Sequence, residues 1–166
     1  MTPLHVSAYT LTTCLGRGLA VTLAKLRDGS SGLAPCAFET VELDTWIGEV
    51  VGVDEQRLPP TLAHYDCRNN RLAQLALTAD GFAERVLAAR DRYGRNRIGV
   101  FLGTSTAGIL QAELAYRRRD PHSGALPDDF SYAGTHNPFS LAAFARDLFA
   151  LAGPAVAVST ACSSGA

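Results

Sequence analysis

The stretch "GPAVAVSTACSSGA", residues 153–166, sets an apolar run against a lone cysteine and a knot of small side chains. Gly153 and Pro154 punctuate the end of a helix, because proline has no N–H to continue the ladder. The run that follows is short, β-branched and bounded by turn residues, which reads as a buried strand. Cys162 stands where that strand gives way to Ser163, Ser164, Gly165 and Ala166, side chains too small to shield a thiol. A strand delivering a nucleophile into a sharp turn that opens a helix suits acyl transfer. The unpaired N–H groups of a first helical turn favour thiolate over thiol and can hold an oxyanion. A cysteine taken alone is more often a small buried hydrophobe; the flanking pattern is what turns Cys162 toward reactivity.

Working outward, "HNPFSLAAFARDLFALAGP" supplies the helix ahead of that strand, with Asn137 as its cap, Pro138 in its first turn and Gly153-Pro154 as its stop. "RIGVFLGTSTAG" reads as a second strand, buried on both faces and closed by a tight loop. From Arg68 to Arg90 the apolar positions Leu72, Leu75, Ala76, Ala79, Phe82, Ala83, Val86 and Leu87 keep helical spacing, which predicts one long helix. Near the start, residues 4–13 read as a strand ending at "LGRG". A helix follows with Leu19, Leu23 and Leu26 on one face and Gly29 as its C-terminal cap. A short strand is expected within "FETVELDTWIG" and a loop at "RLPPTL", while "RRRDPHSGALPDD" reads as a surface excursion. Strands alternating with helices in this way predict one α/β domain with a largely parallel sheet.

Composition narrows the function. Fifteen Lys plus Arg against 16 Asp plus Glu leave no bulk basic field of the kind that binds nucleic acid. Every apolar stretch is broken well short of the roughly 20 residues that span a bilayer. "MTPLHVSAYTL" lacks the basic lead and apolar core of a signal peptide, so a cytoplasmic location without structural disulfides is expected. Cys14, Cys36, Cys67 and Cys162 show no close pairing and the four histidines are scattered, so no metal site is expected.

Residues 153–166 closely resemble the active-site segment of the β-ketoacyl-ACP synthases, the condensing enzymes of fatty-acid and polyketide synthesis. There, too, a Gly-Pro turn leads into an apolar strand and then Thr-Ala-Cys-Ser-Ser-Gly. The opening strand with "LGRG", the helix after "DCRNNR" and "GVFLGTSTAG" agree in order and spacing, whereas residues 30–66 match weakly. Biosynthetic thiolases, and the synthases that start chains from acyl-CoA, surround their cysteine differently, and the Cys-Gly-Ser-Cys of papain-like proteases is absent.

The resemblance implies the N-terminal half of a thiolase-like fold, a layered α/β arrangement with a mixed, largely parallel sheet. Residues 1–166 would form an incomplete β-ketoacyl synthase N-terminal domain, unable to condense substrates and poorly stable without its C-terminal half. Cys162 would be the nucleophile that takes an acyl group from the phosphopantetheine of acyl carrier protein, with its own backbone N–H as half of the oxyanion hole. Malonyl-ACP would then lose carbon dioxide and attack the thioester. Thr106 falls where the family faces the acyl pocket, and Arg68 and Arg71 fall where it presents cations to the acidic carrier protein. Taken alone, Thr106 is equally an ordinary loop threonine and the two arginines a solvated first turn. No bound cofactor is implied, the substrates being carried on phosphopantetheine. The histidines and lysine that handle malonyl-ACP lie downstream of the cysteine in the family. His5, His64, His122 and His136 all precede it, fall in no such motif, and read as structural or exposed. A dimer is implied, with the same chain or a related one, and with "AVAVS" at its interface. The competing role is that of a noncatalytic chain-length-factor-like partner subunit, although such partners usually lack the cysteine.

Overall fold

The computed structural model describes residues 3–38 and 41–165. Its elements in order are β1 (Thr12–Thr13), β2 (Gly16–Arg17), α1 (Leu19–Arg27), β3 (Leu33–Pro35), β4 (Trp46–Gly48), a 3-10 helix (Pro60–Tyr65), α2 (Arg68–Leu77), α3 (Phe82–Tyr93), a 3-10 turn (Arg95–Arg97), β5 (Val100–Gly103), α4 (Ile109–Arg117), α5 (Ser140–Leu148), β6 (Ala155–Val158) and a second 3-10 turn (Ala161–Ser163). The α/β class is as expected. The described strands make three two-stranded sheets: β5 and β6 run parallel, with Val100 opposite Ala155 and Gly103 opposite Val158, while β1–β2 and β3–β4 are antiparallel.

The core forms around α5. Phe144 is fully enclosed and packs with Leu62 and Tyr65, flanked by Leu58, Ala73, Leu141 and Leu148. Tyr65 meets Phe144 edge to face at 5.8 Å and its hydroxyl donates to Asp147 Oδ2 at 2.9 Å, so one ring fills the core and satisfies its polar end. Burial and that acceptor push the Tyr65 phenol up. α5 packs against both β5 and β6 and covers one face of the pair. The opposite face is open. Phe101 is 70% exposed and Val156 and Val158 remain in solvent, which corrects the expectation of a strand covered on both faces. The reason is alternation, since Val100 and Leu102 point to α5 and Phe101 points away.

Several sequence boundaries shift. The long helix expected over residues 68–90 is two helices, broken where Asp80 (φ 56°) and Gly81 (φ 69°) adopt left-handed backbone. The break is held from outside: Asp80 accepts from the Leu19 N–H at 2.9 and 3.1 Å, capping α1, and from Thr10 Oγ1 at 2.9 Å. The strand expected over residues 4–13 contracts to Thr12–Thr13. Leu4 is 98% exposed and Val6 and Tyr9 stand in solvent, because no described strand pairs with this segment. α1 closes as expected at Gly29 (φ 65°), with Ser30 N bonded to Lys25 O and Gly29 N to Leu26 O. Its leucines, however, face solvent at Leu23 and Leu26, and Thr22 is the residue it buries. Asn137 caps α5 as expected, accepting from Phe139 N at 2.7 Å and Ser140 N at 2.9 Å. The stop comes before Gly153. Ala150 (φ 51°) turns the chain, with Leu151 N bonded to Arg146 O, and buried Leu151 anchors it. The strand expected within residues 38–48 narrows to Trp46–Gly48, with Glu39 and Thr40 outside the described residues. "RLPPTL" is a loop only to Pro59, after which Pro60 opens the 3-10 helix.

Candidate functional site

The parallel pair gathers two of the sequence-chosen residues at one edge. β5 runs into the Thr106 loop and β6 into the Cys162 turn. Because the strands are parallel and in register, both segments leave from the carboxyl ends of neighbouring strands. The ladder extends one bond further, Thr104 N donating to Val158 O at 3.0 Å. Carboxyl ends of parallel strands are where α/β proteins place ligands, since the loops there diverge and leave room.

Cys162 is exposed in the middle of the 3-10 turn Ala161–Ser163. Ala161 ahead of it takes φ 53°, a left-handed conformation that costs a residue bearing a Cβ and swings the chain out of the strand direction. The serines hold the turn. Ser164 Oγ donates to Ala161 O at 2.6 Å and accepts from Thr160 N at 2.9 Å, while Ser163 Oγ donates to Thr160 O at 2.9 Å. On the strand side Gly103 lies flush against Ser164 and Gly165, where a side chain would strike backbone. The small-residue run around Cys162 is thus a fastened turn against the end of β5. Ala166 lies outside the described residues.

The other three thiols are occupied by structure. Cys67 is buried at the start of α2, and burial pushes its thiol up. Cys14 presses its sulfur against Gly32 and Gly48, and Cys36 is half-buried next to the β3–β4 pair.

Thr106 lines a cavity of about 330 Å³ that Cys162 does not border. Its wall is apolar at Phe38, Val50, Val53, Leu72 and Leu110, with Arg68 at its margin. Arg68 and Arg71 are therefore not two equivalent surface cations. Arg68 contacts Asp54, reaches Glu49 at 3.8 Å and lies 5.3 Å from the Phe38 ring centre. Arg71 grips Asp66 with two bonds, at 2.6 and 2.8 Å, and holds that carboxyl below the usual carboxylate range. His136 is buried, with Nδ1 at 2.7 Å from Thr135 Oγ1 and its ring on Phe130, whereas His5, His64 and His122 are exposed. Among the described residues no cluster of His, Cys, Asp or Glu could hold a metal ion, and no helix is long and apolar enough to cross a membrane.

Residues 68–166 match the Beta-ketoacyl synthase, N-terminal domain family. The chain belongs to that family. The matched region takes in Arg68, Arg71, Thr106 and Cys162. A similar solved structure is a chain of the complex of the ketosynthase ApeO with its chain length factor ApeC from Xenorhabdus doucetiae. It is 23% identical with a TM-score of 0.67, covering 95% of this chain and 39% of that one. The fold is therefore that of the ketosynthases, and this chain spans well under half the length of that relative. No curated protein matches the sequence significantly.

For a β-ketoacyl synthase domain, sequence reasoning missed the cavity wall contributed by Phe38 and by residues 47–53. The short strand expected within residues 38–48 says nothing of what lies across from it, so nothing local marks Phe38, Val50 and Val53 as partners of Thr106. It also passed over Gly103 and Ala161, whose roles depend on contacts and backbone geometry that a sequence does not display.

Proposed function

We propose that this chain supplies the nucleophile-bearing part of a β-ketoacyl synthase acting on acyl chains carried by acyl carrier protein, in fatty-acid or polyketide synthesis. The supporting observation is the exposed thiol of Cys162 on a serine-fastened turn at the carboxyl edge of β5 and β6. The Cys162 thiol gives up its proton and attacks an incoming acyl thioester as thiolate. The bond from the acyl carbon to the carrier sulfur breaks, the carrier leaves as thiolate and takes up a proton in turn, and the acyl group rests on Sγ. The Cys162 backbone N–H supplies one donor to the oxyanion. A malonyl thioester then loses carbon dioxide, and the resulting carbanion attacks the acyl carbonyl and expels Sγ as thiolate. Residues of the C-terminal half would govern that second step. The Thr106 cavity is suited to an aliphatic chain, and Arg68 and Arg71 to an acidic carrier surface. No bound cofactor is needed.

Iodoacetamide labelling and peptide mapping of the complete protein tests the nucleophile: Cys162 is expected to label first, ahead of Cys14, Cys36 and Cys67. Prior modification of any of those three in the folded protein would overturn the reading.

A second reading, a noncatalytic chain-length-factor-like subunit, draws on the similarity to a structure in which a ketosynthase is paired with its chain length factor. The open face carrying Phe101, Val156 and Val158 suits a related chain, in a homodimer or heterodimer, under either reading. Acyl transfer to Cys162 by the chain with its partner separates the two, because a noncatalytic subunit forms no thioester.

A further inference from the structure

Arg68 ties α2 to the segment that precedes it. Its guanidinium touches Phe38, Glu49 and Asp54, all from the segment that forms the outer wall of the Thr106 cavity. That wall is lightly attached. Within residues 41–56 Val53 alone is buried, and the β3–β4 pairing that tethers the segment through Trp46–Gly48 is three residues long and largely exposed. Phe38, Glu49 and Arg68 themselves border the cavity, so moving this contact moves the wall. The side chains of Glu49 and Asp54 are 49% and 68% exposed, within reach of solvent ions.

We infer that Arg68 is an ionic latch. While Asp54 and Glu49 hold its guanidinium, Phe38 and residues 47–54 stay drawn against the cavity, and an anion that competes for Arg68 loosens them and admits an aliphatic chain. This rests on the reading of the cavity as the acyl site. An acidic carrier surface arriving at Arg68 would be such a competitor, so delivery of the acyl group and opening of its pocket would run through the same side chain. Arg68 is then a positioning residue. Arg71, three residues further along α2, carries the same charge but spends it on Asp66, away from the cavity lining, and serves as the internal control.

The test uses the complete protein and the neutral apolar fluorophore N-phenyl-1-naphthylamine, titrated at low and high sodium chloride, with Thr106→Phe reporting probe bound outside the cavity. Exposed ion pairs are weak and salt-screened, so wild-type affinity for the probe should rise about two- to fivefold between about 0.05 and 0.5 M salt. Arg68→Gln should bind at low salt as wild type does at high salt and lose the salt response, whereas Arg71→Gln should keep the wild-type response. Asp54→Asn should act in the same direction, and Arg68→Glu combined with Asp54→Arg should restore the wild-type response. A wild-type salt response in Arg68→Gln, or no recovery in the exchanged pair, overturns the latch. Thioester formation on Cys162 is followed in the same samples. Normal acylation with no effect of Arg68→Gln sinks the latch and leaves the acyl reading. The full salt pattern without any thioester supports the latch and sinks that reading.

Discussion

Replacing Gly103 with alanine should disturb Cys162 without touching it. A methyl group at Gly103 would overlap the Ser164 carbonyl oxygen and stand 2.5 Å from its carbonyl carbon and 2.8 Å from Gly165 N. Comfortable carbon contacts lie at about 3.5–4.0 Å, so the Cys162 turn and the end of β5 must part by about 1 Å. The obstruction is backbone, which cannot rotate aside as a side chain would. Overpacking of this kind costs about 1–3 kcal/mol. At about 3 °C per kcal/mol for a chain of this size, the melting temperature should fall by about 3–9 °C. A nucleophile displaced by about 1 Å can lose on the order of a hundredfold in rate. Thermal unfolding and the rate of acylation of Cys162, followed by mass spectrometry on the complete protein, read both effects. Gly165→Ala is the matched control, since nothing lies within 4 Å of its added methyl. If Gly103→Ala melted within about 1 °C of wild type and acylated at the wild-type rate, the account of a turn pinned against β5 would be wrong.

Acidification gives another measurement. Arg71, through its hydrogen bonds first, lowers the Asp66 carboxyl below its unfolded value of about 4. The stability this contributes is complete above that unfolded value and is lost as pH falls through the folded one. Asp66→Asn should therefore flatten the acid limb of the stability profile, and an unchanged limb would refute the linkage. Asn137→Ala removes the acceptor for Phe139 and Ser140 N–H and should cost about 1 kcal/mol, or roughly 3 °C in melting temperature by calorimetry. Thr106→Phe should block transfer of longer acyl groups to Cys162 while sparing acetyl; equal loss at every chain length, with a lowered melting temperature, would mean disrupted folding instead.

The parts of the fold legible in the sequence are those governed by neighbours along the chain. Apolar β-branched runs gave β5 and β6, and the Gly29 turn and the Asn137 cap follow from residues a few places away. What escaped is governed at a distance. The apolar spacing from Arg68 to Arg90 runs through the break, whose one local sign is the turn-prone pair Asp80-Gly81, and the contacts that fasten it are the distant N–H of Leu19 and hydroxyl of Thr10. Residues 4–11 have strand composition, yet a strand also needs a partner. The same division runs through the site. Cys162 and Thr106 could be placed because each follows a recognisable strand, whereas the pairing of Arg68 with Asp54 and Glu49 depends on how an irregular segment folds back over α2.

Asp80 has one more consequence. The family match begins at Arg68, which invites the view that residues 68–166 are a unit that can be cut free from what precedes them. The side chain of Asp80 says otherwise, since it lies inside the matched region while the groups it binds, Leu19 N–H and Thr10 hydroxyl, lie outside. Arg17 makes the reverse stitch, donating to Leu75 O at 3.0 Å and Thr78 O at 3.1 Å and so satisfying the end of α2. Excision at Arg68 would strip the α2 terminus of its donors and the left-handed turn at Asp80 of the contacts that hold it, next to the helices that carry the core. The boundary drawn by sequence similarity is thus a line along which the molecule is sewn, and a useful truncation would have to keep at least Thr10 and everything after it.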